Sequence, residues 1–370
     1  MSRTTLLSLA QVLGVSRTTV SNAYSRPEKL SAELRDRIFA TARELGYEGP
    51  SPLAASLRKG RTDSLGVLFT DDLGYAFSDP VSMLFLSGVA GQLQEAGYGL
   101  TVLSAPRSGG SGPMSRAMVD GLIVYSVDED SPGLAVARKR AIPSVMVDQA
   151  PETGTPCVNV SDRIGAEAAV AHLVEHGHTA IAGVTVAAGN SGARADQCVL
   201  VGNRATSRSY VVRERMAGWR RGCRVAGLPP PVMISCPVNA AEQGRHAVRL
   251  LLDVHPRPTA VVCLSDELAL GVMAELAAHR LHVPADVSVV GFDDSPAAAM
   301  AQPPLTTVRQ PARDKGALAA GLLLDRLRTG ETGSSQLLPT ELTVRSSTGA
   351  RPADPSSSRK GRRHAGRSDR

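Results

Sequence analysis

Aromatic side chains are scarce in this sequence, 3% of 370 residues with a single tryptophan, so any core must be built mainly from aliphatic residues. No apolar run approaches the roughly 20 residues of a membrane-spanning helix. The start, MSRTTLLSLAQ, lacks the apolar stretch and small-residue cleavage site of a secretory signal. The five cysteines (Cys157, Cys198, Cys223, Cys236 and Cys263) are odd in number and show no Cys-x-x-Cys spacing. That pattern excludes a fully paired disulfide frame and a zinc ribbon, and it points to a reducing, cytoplasmic compartment. Catalytic signatures are missing as well. There is no Gly-x-Ser-x-Gly elbow, and SGGSGP at 108–113 lacks the Lys-Ser/Thr that completes a phosphate loop. His172, His176 and His178 cluster in AHLVEHGHTA, but no Asp/Glu/Cys pattern near them resembles a zincin. Imidazoles near the negative end of a helix dipole account for them. The expectation is a protein without catalysis, metal or cofactor.

The chain is too long for one core and calls for two or three domains. Its net charge of +6 is unevenly placed. Residues 1–61 hold ten Lys/Arg against five Asp/Glu, and residues 350–370 hold seven against two, while 62–349 hold 24 against 28. A mildly acidic body thus carries a basic head and a basic tail, and the field that attracts a polyanion is concentrated at the ends.

In the head, Leu6, Leu9, Ala10 and Leu13 recur at the spacing of one helix face. Gly14 stands where a helix end takes a left-handed residue, Val15 fills the corner, and Ser16 suits the N-cap of a second helix. That helix, Arg17 to about Tyr24, offers Val20 and Ala23 to a core and little else. A third starts after Ser31, with Leu34, Ile38, Ala42 and Leu45 on one face, and stops at Gly46. Three short helices with a tight first turn describe a helix-turn-helix over 1–49, whose second helix enters a DNA major groove. Arg17, Thr18 and Asn22 are the residues suited to base edges, and Ser16, Thr19 and Ser21 to phosphates. In the next stretch, 50–61, Ser51, Pro52 and Gly60 frame a helix too short to be stable alone. Its Arg58 suits a phosphate backbone, and Leu57 a minor-groove wedge.

Through the body, 62–349, short apolar runs alternate with helical patterns. The runs are Leu65–Phe69, Leu100–Leu103, Leu122–Tyr125, Val145–Val147, Ile181–Val184, Ala260–Leu264 and Val287–Val290. The helical patterns include Val81–Ala96, Arg163–His176, Glu214–Ala226, Ala240–Leu252 and Asp266–Ala278. This is the α/β pattern of parallel sheets covered on both faces, here in two subdomains with a ligand cleft at the carboxyl ends of the strands. Polar residues at those ends are the candidates: Asp148, Asp266, Asp293 and Asp294, with Arg215 opening RMAGW. Carboxylates converging with a guanidinium suit vicinal hydroxyls.

The pieces LSLAQVLGVSRTTVSNA, LSAELRDRIFATARELGY, PLAASLRKGRTDSLGVLF, VDGLIV, HLVEHGHTAIA, RMAGW, SDELALGVMAEL, VPADVSVVGFDD and PPLTTVRQP occur in one order. Together they resemble the LacI/GalR family of bacterial transcription regulators, to about residue 349. The resemblance implies a homodimer on a palindromic double-stranded operator. Hinge helices would contact DNA through Ala54, Leu57 and Arg58, and the body would be of periplasmic-binding-protein type. It also implies lobes of about 64–161 plus 295–321 and 162–294 plus 322–349. A small, sugar-like effector would meet Phe77, Asp79, Asp148, Arg215 and Asp266. Three features depart from the family. The 187–210 segment is longer and more polar, expected as a loop or lid. Asn239 stands where many sugar-responsive members carry a stacking tryptophan. The tail, 350–370, has no leucine heptads and is expected to be disordered. Two other readings fit the body alone: a cytosolic small-molecule binding protein, which the basic head opposes, and an α/β enzyme acting on a sugar or nucleoside, which requires turnover.

Overall fold

A computed structural model describes residues 5–49, 60–69, 73–105, 112–128, 130–186 and 197–352. Contacts divide the chain into two compact units, Met1–Asp63 and Ser64–Arg370.

The first unit is helical. Helix α1 (Leu6–Leu13) is capped by Thr5, which accepts from the Ser8 amide, and it ends at Gly14 with φ 65°. Left-handed backbone at that point is the reason for glycine. Helix α2 (Arg17–Ser25) starts at Ser16, whose Oγ accepts from the Thr19 amide. Helix α3 (Ala32–Glu44) starts at Ser31 in the same manner. Leu9, Ala10, Val20, Ala23, Ile38 and Ala42 form the buried core, and Tyr24 sits edge-on to both Phe39 and Tyr47. The expected hinge residues Ala54, Leu57 and Arg58 lie outside the described residues, as does the tail from 353 onward.

The second unit holds two sheets. Strands β1 (Ser64–Phe69), β2 (Gly99–Ser104), β3 (Gly121–Tyr125), β4 (Ser144–Val147) and β5 (Cys157–Val160) join β12 (Gln336–Leu338) in the order β12-β5-β4-β3-β1-β2, all parallel. The other sheet contains β6 (Ile181–Val186), β7 (Val199–Val201), β8 (Val232–Cys236), β9 (Ala260–Cys263), β10 (Ser288–Asp293), β11 (Thr306–Arg309) and β13 (Glu341–Thr343), in the order β13-β11-β10-β9-β6-β8-β7. Its centre is parallel and its edge strands β7 and β13 are antiparallel. Helices α4 (Leu73–Ser78), α5 (Pro80–Ala96), α6 (Pro132–Lys139) and α12 (Ala312–Thr329) accompany the first sheet. Helices α7 (Asp162–Glu175), α8 (Tyr210–Val225), α9 (Ala241–Asp253), α10 (Asp266–Ala278) and α11 (Pro296–Met300) accompany the second.

Hydrogen bonding corrects the expected lobe boundaries. β11 belongs to the second sheet and β12 to the first, and α12 packs along its length on α5 in the first lobe. The lobes are therefore 64–161 with about 310–338, and 162–309 with about 339–349, so a split at 321 would have cut α12 in two. β11 pairs with β10 just before it, and β12 returns to β5 far back in the chain, Gln336 beside Val158, which no local pattern announces. Part of the 187–210 segment is also not loop or lid: 199–201 is the antiparallel edge strand β7.

Glycines let helix pairs approach closely. A Cβ on Gly271 of α10 would lie 1.8 Å from the Ala241 carbonyl of α9, and one on Gly244 of α9 would lie 2.2 Å from the Leu268 carbonyl of α10. Gly271→Ala should therefore cost at least about 1–3 kcal/mol in urea unfolding, because two backbones must separate. Gly91→Ala on α5, where a Cβ meets nothing within 4 Å, should instead gain up to about 1 kcal/mol from helix propensity. Similar losses for both variants would rule out the packing account.

Candidate functional site

In the first unit, α2 carries a polar stripe. Arg17 and Thr18 are exposed, and Ser21 and Asn22 are half-buried. These positions are i, i+1, i+4 and i+5, a single helix face opposite Val20 and Ala23. Ser21 thus shares the face of Arg17 rather than a separate flank. Ser16 and Thr19 are bonded to each other, Oγ to Oγ1 at 2.8 Å, so both hydroxyls serve the cap first.

In the second unit a cleft of about 560 Å³ lies between the lobes, within the roughly 300–1,000 Å³ of small-molecule sites. Its walls come from the carboxyl ends of strands. Phe69 ends β1, Tyr125, Ser126 and Asp128 follow from β3, and Asp148 follows β4. From the second sheet come Val186, Pro237–Ala240, Leu264, Ser265 and Asp293. Strand order reverses around β1 in one sheet and β6 in the other, and at such switch points loops diverge and leave a crevice. Backbone with positive φ turns side chains into it at Ser126 (49°), Asp148 (55°) and Asp293 (122°), conformations that non-glycine residues adopt at a cost.

The floor is a chain of buried charges that crosses from lobe to lobe. Arg215 on α8 donates from Nε to Asp162 at 2.8 Å and from Nη1 to the Leu264 carbonyl, and Nη1 lies 3.4 Å from Asp293. Its guanidinium carbon stands 3.5 Å above the centre of the Phe292 ring. The close approach of α7 and α8 makes this possible: a Cβ on Gly218 would stand 2.3 Å from the Arg163 carbonyl, and that contact sets Asp162 against Arg215. Gln310, at a lobe crossover, donates to Asp293 at 2.6 Å and accepts from Lys315 Nζ at 2.9 Å. Lys315 also bonds Asp148 Oδ2 at 2.5 Å. Burial pushes Asp293 well above the usual carboxylate range against the pull of Arg215, and pushes Asp162 up to about 6. Asp148 is buried, and its Oδ1 has no hydrogen-bond partner among the described residues.

At the mouth, Asn239 of the second lobe donates to the Tyr75 hydroxyl of the first at 2.9 Å and accepts from Ser265. Arg208 and Asp130 form an exposed ion pair across the same gap.

Of the residues singled out in the sequence, Asp79, Asp148, Arg215 and Asp293 line the cleft together. Asp79 also caps α5, where its Oδ2 accepts from the amide and hydroxyl of Ser82. Two do not line it. Phe77 is 56% exposed and absent from the walls. The chain at 73–78 is helical, so residues two apart point in different directions, and Tyr75 faces the cleft instead. Asp266 is 1% exposed and bonds the Thr307 hydroxyl and the Ser295 amide. Burial pushes its carboxyl up to about 6, and it ties the ends of β10 and β11 together behind the wall. The strand-end carboxylate beside Arg215 is Asp293. Asp294 pairs with Arg345. The three histidines are structural at two positions at least: His172 meets Thr348, and His178 meets Thr259 and Ser288.

Gln310, Lys315 and Asp162 were not singled out. Lys315 left a signal, because it shares the buried face of α12 with Ala312, Gly316, Ala319 and Leu323. A lysine on an apolar stripe needs a buried anion.

Comparison with known proteins adds to this geometry. A family model described as a periplasmic binding protein-like domain matches residues 170–348. The HTH-type transcriptional regulator Rv3575c of Mycobacterium tuberculosis is 39% identical over 95% of this chain and 98% of its own length. The chain belongs to the LacI family of transcriptional regulators. Among solved structures, the lac repressor dimer bound to operator and the anti-inducer ONPF is 27% identical, covers 94% of this chain and 100% of its own, and has a TM-score of 0.73. The regulator CelR in complex with cellobiose is 29% identical over 93% of this chain and 100% of its own, with a TM-score of 0.67. This LacI-family chain is thus a DNA-binding regulator, not an enzyme. Among the described residues no helix is long and apolar enough to cross a membrane.

Proposed function

We propose that this regulator acts in the cytoplasm as a homodimeric repressor. It binds a palindromic operator through α2 and is controlled by a neutral or amine-bearing polyhydroxylated effector in the cleft. The observation that carries the effector class is Asp148. Asp148 lines the cleft; Lys315 holds one of its oxygens, and the other is buried and without a partner among the described residues. Such an acceptor is satisfied by a hydroxyl or ammonium donor. The walls carry Asp79, Asp128, Asp148 and Asp293, whereas Arg215 is the lining cation and is already paired. A phosphorylated or carboxylated ligand would meet excess negative charge. Phe69, Tyr75 and Tyr125 supply apolar faces for ring C–H groups.

Effector and operator affinities are linked, so each changes the other by the same factor, usually about 5–150-fold. The test is fluorescence anisotropy on a palindromic duplex selected from a random library, titrated with neutral sugars, cyclic polyols, amino sugars and sugar phosphates. A neutral or amino compound should shift operator affinity within that range. Response to phosphates alone, or to none, would overturn the effector class. On the DNA side, Arg17→Ala should relax preference at one base position per half-site, by about 1–3 kcal/mol. A uniform loss across sequences would assign Arg17 to phosphate instead.

A further inference from the structure

All five cysteines are free thiols in this structure, and two of them are paired in space. Strand β7 runs antiparallel to β8, with Val199 facing Ser235, Leu200 facing Ile234 and Val201 facing Met233. One step further along that register sets Cys198 opposite Cys236. Their Sγ atoms are 3.1 Å apart. Residues opposed in an antiparallel pair have Cα atoms about 4.5–5.5 Å apart, inside the roughly 4.4–6.8 Å that a disulfide spans. A bond can therefore close by side-chain adjustment with the backbone in place. Cys198 is half-buried and Cys236 is buried; both sulfurs approach the Gln243 carbonyl, at 3.5 and 3.6 Å. Cys157, Cys223 and Cys263 are buried.

We propose that Cys198 and Cys236 form a peroxide-responsive dithiol–disulfide pair beside the cleft. Cys198 is the attacking sulfur, because it is the more accessible of the two. Its shared hydrogen bond with Cys236 also holds it below the ordinary thiol range, while the same bond and burial push Cys236 up. The Cys198 thiolate attacks one oxygen of hydrogen peroxide, the O–O bond breaks, and the departing hydroxide takes a proton to become water. The resulting Cys198 sulfenic acid is attacked at sulfur by Cys236. The S–O bond breaks and a second water leaves. Two thiols and one peroxide thus give one disulfide and two waters. Thiolate character and access select this site over the three buried thiols.

The bond would fasten the edge strand to the end of β8, and β8 runs directly into Pro237, Val238, Asn239 and Ala240 of the cleft wall. Asn239 makes the contact to Tyr75 across the mouth, so oxidation would brace the part of the wall that meets the opposite lobe.

The experiment uses the full reduced chain treated with hydrogen peroxide, quenched and titrated for thiols in denaturant. The count should fall by two from five, a peptide map should show Cys198 joined to Cys236 within one chain, and dithiothreitol should restore both thiols. Cys236→Ser should stop at a sulfenic acid on Cys198 that dimedone captures, whereas Cys198→Ser should keep its remaining thiols at the same dose. Five surviving thiols, a crosslink between chains, or oxidation spread over the buried cysteines would overturn the proposal. The wild-type peptide map decides the pairing even if a variant folds poorly. Neither cysteine is on the α2 reading face or among the cleft-lining residues, so failure here leaves the regulatory reading intact.

Discussion

Lys315→Met should lower the unfolding free energy of the second unit by about 3–5 kcal/mol, a loss readable as a shift in urea midpoint at constant slope. Lys315 is 1% exposed on α12, with its ammonium held by Asp148 and Gln310 and 5.5 Å from the Tyr125 ring centre. Methionine fills the same space but leaves the Asp148 carboxylate buried and unpaired, and that uncompensated charge is the source of the cost. Asp148→Asn in the same chain should recover most of the loss, since asparagine carries no charge and tolerates the positive φ at that position. The double variant should not recover effector binding, because the Asp148 carboxylate that lines the cleft is then gone. A double-mutant cycle with no coupling between the two positions would show that Lys315 and Asp148 do not act as a pair.

Arg215→Met should weaken the effector found in the operator titration by about 2–5 kcal/mol, at least about 30-fold, measured by calorimetry. The guanidinium is buried between Asp162 and Asp293 and stacked on Phe292, so its removal leaves two buried carboxyls without it. The variant should also carry a pH signature. Asp162 is already raised to about 6 by burial even with Arg215 beside it. A carboxyl whose folded value lies above its unfolded one keeps an extra proton when folded, so its contribution to stability is present at low pH and lost as pH rises through about 4 to 6. Without the guanidinium the folded value rises further and the window extends upward. Arg215→Met should therefore be closest to wild type near pH 5 and furthest from it near pH 8. A gap that widens on acidification would contradict this electrostatic account.

Much of this molecule is written in short-range patterns. The caps at Ser16 and Ser31, the left-handed Gly14 and the burial of Val20 and Ala23 follow from rules that span four residues. So do the strand β1 and the helix α10, whose bounds Asp266–Ala278 match the periodicity residue for residue. Helix 3.6-fold and strand twofold repeats are local, and burial enforces them wherever one face is apolar. Which carboxylate meets Arg215 was not local. Asp148, Asp266 and Asp293 all follow apolar strands and look equivalent in one dimension. Only the order of the strands turns Asp266 inward to Thr307 and Ser295 and leaves Asp293 at the cleft. The return of β12 to the first sheet likewise follows from its pairing with β5, Gln336 beside Val158, two segments far apart in the chain. The sequence by itself determined the head helices, the central strands and long helices of the body, the polar stripe of α2 and the family. The tertiary structure decided the chemistry of the cleft, because a buried charge is stable only where distant segments bring its partner, and that meeting is a property of topology.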